Sequence, residues 1–228
     1  MNTKEYALIV AGGKGTRLKS ILPKQFIELL GNPVIFHTIQ AFHNYSSSLP
    51  IILVLPEDDF QTWHALVKKF NFDIPVILQK GGDTRFQSVR NGLAKIEGHG
   101  LVAIHDGVRP LVSADIIAAS FRLAAVHKSA VASVRLKESI RMTDKDGTKS
   151  ADRSLFRLIQ TPQTFDIALI QRAYAAKEDV TFTDDASVAE HAGNAISLFE
   201  GSYDNIKITT AEDLILAEAL LKQRIELN

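Results

Sequence analysis

Short apolar runs alternate with stretches of helical periodicity along most of this chain. Ala7–Val10, Ile51–Leu55, Ile74–Leu78, Leu101–Ile104 and Ala130–Val134 are near-continuous aliphatic runs, the pattern of strands buried on both faces. Between them apolar residues recur every three or four positions. Val34, Ile35, Thr38, Ile39 and Phe42, opened by Pro33, give one stripe; Phe60, Trp63, Leu66, Val67 and Phe70 give another. Gly81-Gly82 turns the third run into a helix from about Thr84 to Ile96, and Ser113 can cap a helix from Ala114 to about Val126. Strands alternating with helices predict an α/β fold with a doubly wound, mostly parallel sheet.

The rhythm breaks after residue 135. Asp146-Gly147 is a hairpin-turn signal between Ser139–Thr143 and the apolar stretch Leu155–Ile159. A lone two-stranded ribbon is marginal in water, so residues 136–165 are expected to form a β-arm that packs on its own domain or on another subunit; an ordinary surface loop is the alternative. Phe165–Ala176 and Asp185–Ala192 read as helices, and Ala195–Phe199 and Ile206–Ile208 as short strands. Thr209 with Glu212 fits a capping box for a last helix striped by Leu214, Leu216, Ala217, Leu220 and Leu221.

At 228 residues, the pattern fits one domain, 1–228, with a substantial core. The 26 basic and 26 acidic residues cancel, so no overall field draws the protein to nucleic acid or membrane, and anion binding must be local. The absence of cysteine excludes disulfides, zinc–thiolate sites and a cysteine nucleophile. With neither a signal-peptide pattern nor an apolar run of spanning length, a cytoplasmic protein is expected.

The chemistry concentrates past the first strand. Ala7–Val10 ends in Gly12, Gly13 and Gly15, followed by Arg17 and Lys24. Glycines there let the backbone bring N–H groups to an anion, and the two cations add full charge for phosphates. A dinucleotide fingerprint fails because Leu18 stands where its third glycine belongs, and no Walker A ending is present. The other suspicious segments, Gly81–Ser88, Asp106–Arg109 and Arg135–Ser139, also follow strands, where ligands sit in such sheets.

Ala11-Gly12-Gly13-Lys14-Gly15-Thr16-Arg17 followed by Leu22-Pro23-Lys24-Gln25-Phe26 resembles the signature of the 2-C-methyl-D-erythritol 4-phosphate cytidylyltransferase family, of which ribitol-5-phosphate cytidylyltransferases are near relatives. The likeness continues at Gly81-Gly82-Asp83, Ser88, His105-Asp106, Arg109-Pro110, Thr183-Asp184 and Asn205-Ile206-Lys207, and so spans nearly the whole chain. Three departures stand out. Gly107-Val108 replaces two small residues, Ser139 stands where threonine is common, and Asp185 where glutamate is.

The resemblance implies a Rossmann-like nucleotidyltransferase fold, CTP and an alditol phosphate as substrates, Mg²⁺, and a homodimer that exchanges the 136–165 arm. It implies Ala11, Gly12, Gly13, Gly15, Gly82, Asp83, Ser88, Asp106 and Gly107 as nucleotide-binding. Arg17, Lys24 and Lys207 would be catalytic, and Asp106, Arg109, Ser139, Arg153 and Lys207 would hold the acceptor. An acid at a strand end facing a phosphate loop also suits a metal, which makes Asp106 the candidate ligand. Arg85 is a weaker candidate, and Thr183-Asp184-Asp185 reads equally as a helix start. The reaction implied is CMP transfer from CTP to 2-C-methyl-D-erythritol 4-phosphate with release of pyrophosphate. It needs alignment and charge stabilisation rather than a protein nucleophile, and no nucleophilic triad is evident. Ribitol 5-phosphate as acceptor, or a nucleotide-binding module without catalysis, are the alternatives.

Overall fold

The computed structural model describes residues 3–12 and 22–226. Seven strands form the central sheet: β1 (Glu5–Val10), β4 (Ile51–Leu55), β5 (Ile77–Lys80), β6 (Leu101–Asp106), β7 (Ser129–Arg135), β10 (Arg157–Asp166) and β11 (Leu198–Glu200). Their order is β11-β7-β10-β6-β1-β4-β5, and every pairing is parallel except those of β10, which runs antiparallel between β6 and β7. The fold is thus doubly wound α/β with a mostly parallel sheet, as the pattern predicts.

Alternation along the strands sorts the core into two layers. Ala7, Ile9, Leu53 and Ala103 face α1 (Val34–Tyr45), α2 (Phe60–Phe70) and α4 (Ala114–His127), meeting Ile39, Phe42, Trp63 and Phe121. Leu8, Val10, Ile52, Val54 and Ile104 face the other way, toward Phe86, Val89 and Leu93 of α3 (Arg85–Leu93) and toward α5 (Ile167–Ala173) and α6 (Asp185–His191). Both faces being covered explains why these strands read as unbroken apolar runs. A third cluster, Leu29, Val34, Val108, Leu111, Ile208 and Ala217, seats α7 (Ala211–Glu226) over the short hairpin β2 (Glu28–Leu29) and β3 (Asn32–Pro33).

Several expected bounds move. Pro75 delays the third run, which pairs with β4 only from Ile77. Residues 206–208 form no strand. The capping box of α7 lies one residue later than expected: Asp213 accepts from the Thr210 N–H at 2.8 Å, and the Thr210 hydroxyl accepts from Asp213 N–H at 3.3 Å.

The larger correction concerns the arm. Its hairpin is β8 (Ile140–Asp144) paired with β9 (Gly147–Ala151), a sheet of its own closed by Lys145-Asp146. The apolar stretch after it is not the hairpin's second strand. Residues 157–166 form β10 inside the central sheet, so the arm ends near residue 156 and the predicted 136–165 is too long. Phe165 likewise belongs to β10, and α5 begins at Ile167. The sequence signal misleads because only part of the apolar content of β10 meets the core: Leu158 and Ile159 are exposed, whereas Phe165 is buried.

Candidate active site

The carboxyl ends of β1, β5, β6 and β7 lie on one edge of the sheet, and Gly12, Gly81, Asp106 and Arg135 gather there. Gly13, Gly15 and Arg17 lie outside the described residues. Ala11 is buried, and its N–H donates to Val54 O at 3.0 Å. Gly107 packs close beneath it. A Cβ there would stand 2.7 Å from that of Ala11 and 2.8 Å from Ile35 Cδ1, so any larger residue at this position would force its neighbours to shift. Lys24 opens a one-turn 3-10 helix, Lys24–Phe26, that Pro23 introduces. Phe26 anchors this turn in the core, and buried Gln25 donates to Asp59 Oδ2 at 2.8 Å.

The turn after β5 is held by its own helix. The Ser88 hydroxyl accepts from Gly82 N–H at 3.0 Å, and Gln87 Oε1 accepts from Asp83 N–H at 3.0 Å. Ser88 therefore shapes the turn, and at 3 % exposure it presents little surface of its own. Thr84, not Asp83, caps α3, leaving Asp83 exposed at the tip. A Cβ on Gly82 would meet that of Gln87 at 2.4 Å, so only glycine permits the turn to close so tightly. Ser88 Oγ would lie 3.7 Å from a Cβ on Gly12, which places this turn against the end of β1.

Asp106 ends β6 almost fully buried and is enclosed by cations. Its Oδ2 lies 3.0 Å from Lys207 Nζ and 3.2 Å from Arg109 Nε, and its Oδ1 lies 3.8 Å from Arg85 Nε. Burial opposes ionisation, but Arg85, Lys207 and Arg109 outweigh it and hold the carboxyl well below the usual range. Beneath it His105 is wholly buried. Its Nε2 donates to Arg109 O at 3.2 Å, because that carbonyl can only accept, and its Nδ1 faces the Thr161 hydroxyl at 3.0 Å. Desolvation is the main cause that pushes this imidazole down to about 4, which keeps it neutral. Thr161 Oγ1 also accepts from the Asp106 N–H at 3.0 Å. It does so where β10 shifts register against β7 between Ile159 and Gln163. Arg109 is tied down by donating to Asn205 O at 2.7 Å, and Asn205 donates to Thr161 O at 2.7 Å. This is how Asn205-Ile206-Lys207 comes to face the end of β6.

Lys207, Asp106, Arg109 and Arg85 line one cavity of about 280 Å³ with Thr161, Gln163, Thr183 and Asp184. It is polar, cationic and open to solvent on one side. Asp106 does not suit a metal ion, since both its oxygens face cations, and among the described residues no group of three or more His, Cys, Asp or Glu could hold one. Ser139 and Arg153 are not in this cavity. Arg153 lines a separate one of about 400 Å³ at the arm's root, with Arg135, Phe156 and Arg157, and donates to Lys137 O.

A family model described as IspD, 2-C-methyl-D-erythritol 4-phosphate cytidylyltransferase, matches residues 6–223. The chain belongs to this family. IspD relatives bearing that enzyme name include one from Bacteroides fragilis, 47 % identical over 94 % of this chain and 98 % of its own, and one from Porphyromonas gingivalis, 47 % identical over 97 % and 99 %. The solved 4-diphosphocytidyl-2C-methyl-D-erythritol synthase from Anaerococcus prevotii superposes with a TM-score of 0.82 at 30 % identity, covering 96 % of each chain. Of the IspD-like residues picked out in the sequence, the fold unites Asp106, Arg109 and Lys207, and sets the Gly82–Ser88 turn against Gly12. It leaves Ser139 and Arg153 on the arm. Thr161 and Gln163 were missed because they sit on the strand mistaken for arm. Asp185, which reads equally as part of a helix start, is buried against Arg85, with Arg85 Nη2 2.7 Å from its Oδ2.

Proposed function

We propose that this edge of the sheet transfers CMP from CTP to 2-C-methyl-D-erythritol 4-phosphate, releasing pyrophosphate, a step in isoprenoid precursor synthesis by the non-mevalonate route. The observation that carries it is the buried Asp106 carboxylate holding Lys207 and Arg109 at the mouth of the cavity, beside the Gly82–Ser88 turn. A phosphate oxygen of the acceptor attacks the α-phosphorus of CTP in line; the new P–O bond forms as the bond to pyrophosphate breaks. Lys24, with Arg17, stabilises charge on the triphosphate, and Lys207 steadies the acceptor phosphate. Backbone groups of the Gly82–Asp83 turn read cytosine, and Asp106 and Gly107 at the end of β6 border the nucleotide. Mg²⁺, if carried by CTP, would supply counter-charge for its phosphates without a protein cage. CTP and the acceptor are internal metabolites, which supports a cytoplasmic setting.

We infer further that the arm acts on a second copy. Among the described residues its hairpin pairs with no other strand, and exposed Met142, Leu155, Phe156 and Leu158 lie on or beside it. Ser139 and Arg153 would then complete the acceptor site of the partner subunit, which their distance from the Lys207 cavity supports.

Pyrophosphate release from CTP and Mg²⁺ is measured with methylerythritol phosphate or with ribitol 5-phosphate. Release with the first alone is expected. Release with the second alone would reassign the acceptor, and CTP binding without release from either would make this a nucleotide-binding module.

A further inference from the structure

Arg85 and Asp185 form a fork-to-fork pair, with Arg85 Nη1 2.8 Å from Oδ1 and Nη2 2.7 Å from Oδ2. Asp185 is fully buried, and its Oδ1 also accepts from the Tyr174 hydroxyl at 2.6 Å. Its backbone is fixed as well. Asp184 caps α6 in a capping box with Ser187, and Gln163 bridges Asp184 Oδ2 and Ala186 N–H. The Tyr174 ring stacks on Phe86 at 4.7 Å. Removing such a carboxylate from water is costly, and apolar residues of similar volume often stabilise a fold as well or better. Stability is therefore a weak reason for the pair, and its position suggests another.

The seat aims the remaining nitrogen of Arg85, Nε, at Asp106 Oδ1, 3.8 Å away, on the side opposite Lys207 and Arg109. Arg85 is also one of the three cations that keep Asp106 ionised. We propose that Arg85, seated by Asp185 and Tyr174, is a positioning residue that shares the Asp106 carboxylate and so keeps Lys207 available to the acceptor phosphate. Without Arg85 both carboxylate oxygens turn to Lys207 and Arg109, and the lysine is held by Asp106 instead of by substrate. The inference rests on the cytidylyl-transfer reading above. It deepens it by assigning a role to a pair outside the reacting groups.

The test uses two variants and varies each substrate separately. Asp185→Asn keeps the volume and an acceptor for Tyr174 but unseats Arg85. The triple variant Arg85→Met, Asp185→Val, Tyr174→Phe removes every polar atom of the pair together and is expected to keep its Tm within a few degrees of the parent. In both, KM for the acceptor should rise about tenfold while KM for CTP stays within about twofold, a selective loss of acceptor binding. A folded triple variant with the parent's acceptor KM would show that the pair only braces the fold. Equal rises in both KM values would mean general disorganisation and would also overturn the proposal. If the triple variant fails to fold, Asp185→Asn decides by the same two readings. A parent protein inert with CTP and both acceptors would instead sink the functional reading, and this inference with it.

Discussion

Around Asp106, four elements lock polar side chains in place: β6 supplies His105 and Asp106, β10 supplies Thr161, α3 supplies Arg85, and the segment before α7 supplies Asn205 and Lys207. Asp106, His105, Arg109, Thr161 and Asn205 are all buried. The hairpin β8–β9 is also rich in polar residues, yet it is exposed along nearly its whole length. Arg141, for example, donates to Thr148 Oγ1 within the hairpin itself. The first region is preorganised by one chain. The second has its backbone shape but nothing to act on, which is what a device completed by another molecule looks like.

The sharpest break should come from substitutions on the pocket side. Lys24→Ala is expected to lower kcat by about 10²–10³, and Lys207→Ala to lower kcat/KM by a similar factor, the scale for losing one preorganised charge-stabilising group. Both lysines are half-exposed, so thermal unfolding should hardly change. Near-parent turnover in either variant would remove that lysine from the mechanism.

Mixing experiments address the arm directly. If the arm serves a second copy, the Arg153→Ala and Lys207→Ala variants should each be nearly inactive alone. In the mixed dimer one site combines an intact Lys207 with an intact Arg153 from the other chain, so activity should return in about half of its sites. No recovery on mixing would place the arm's action within its own chain.

A pH titration separates the two regions by stability. His105 falls to about 4 in the fold from an ordinary 6.5, so the unfolded chain binds the extra proton first as pH drops. Its contribution to stability is intact above pH 6.5 and is lost progressively down to pH 4, on the order of 3 kcal/mol. Urea unfolding at pH 7 and pH 5 should show this slope, and His105→Gln should flatten it. An unchanged slope in that variant would exclude His105 as its source.

How much of this the sequence discloses follows the same division. Strands buried on both faces are legible as aliphatic runs, and the site's glycines, Asp106 and Lys207 as a motif. β10 is not legible, because Leu158 and Ile159 are exposed and its bulge spends Gln160 and Thr161 on the pocket. Nor is Asp185, since an acid after Thr183-Asp184 looks like any helix start until Arg85 is seen opposite it, a hundred residues away in sequence.

The smallest effect tests whether the two regions are separate at all. Tyr203 donates to Arg135 O at 2.8 Å, and Lys137 Nζ sits 3.7 Å above its ring, so the root of the arm touches the segment that carries Asn205 and Lys207. Tyr203 is about half exposed, so Tyr203→Phe, which removes the hydroxyl and keeps the ring, should cost about 1 kcal/mol or less. If the arm serves only the partner subunit, the acceptor KM should change less than about threefold, because the pocket's own ties to Asn205 and Lys207 remain. A tenfold rise would mean that the root transmits arm position to Lys207 within one chain, and the pocket would then be less self-sufficient than its buried network implies.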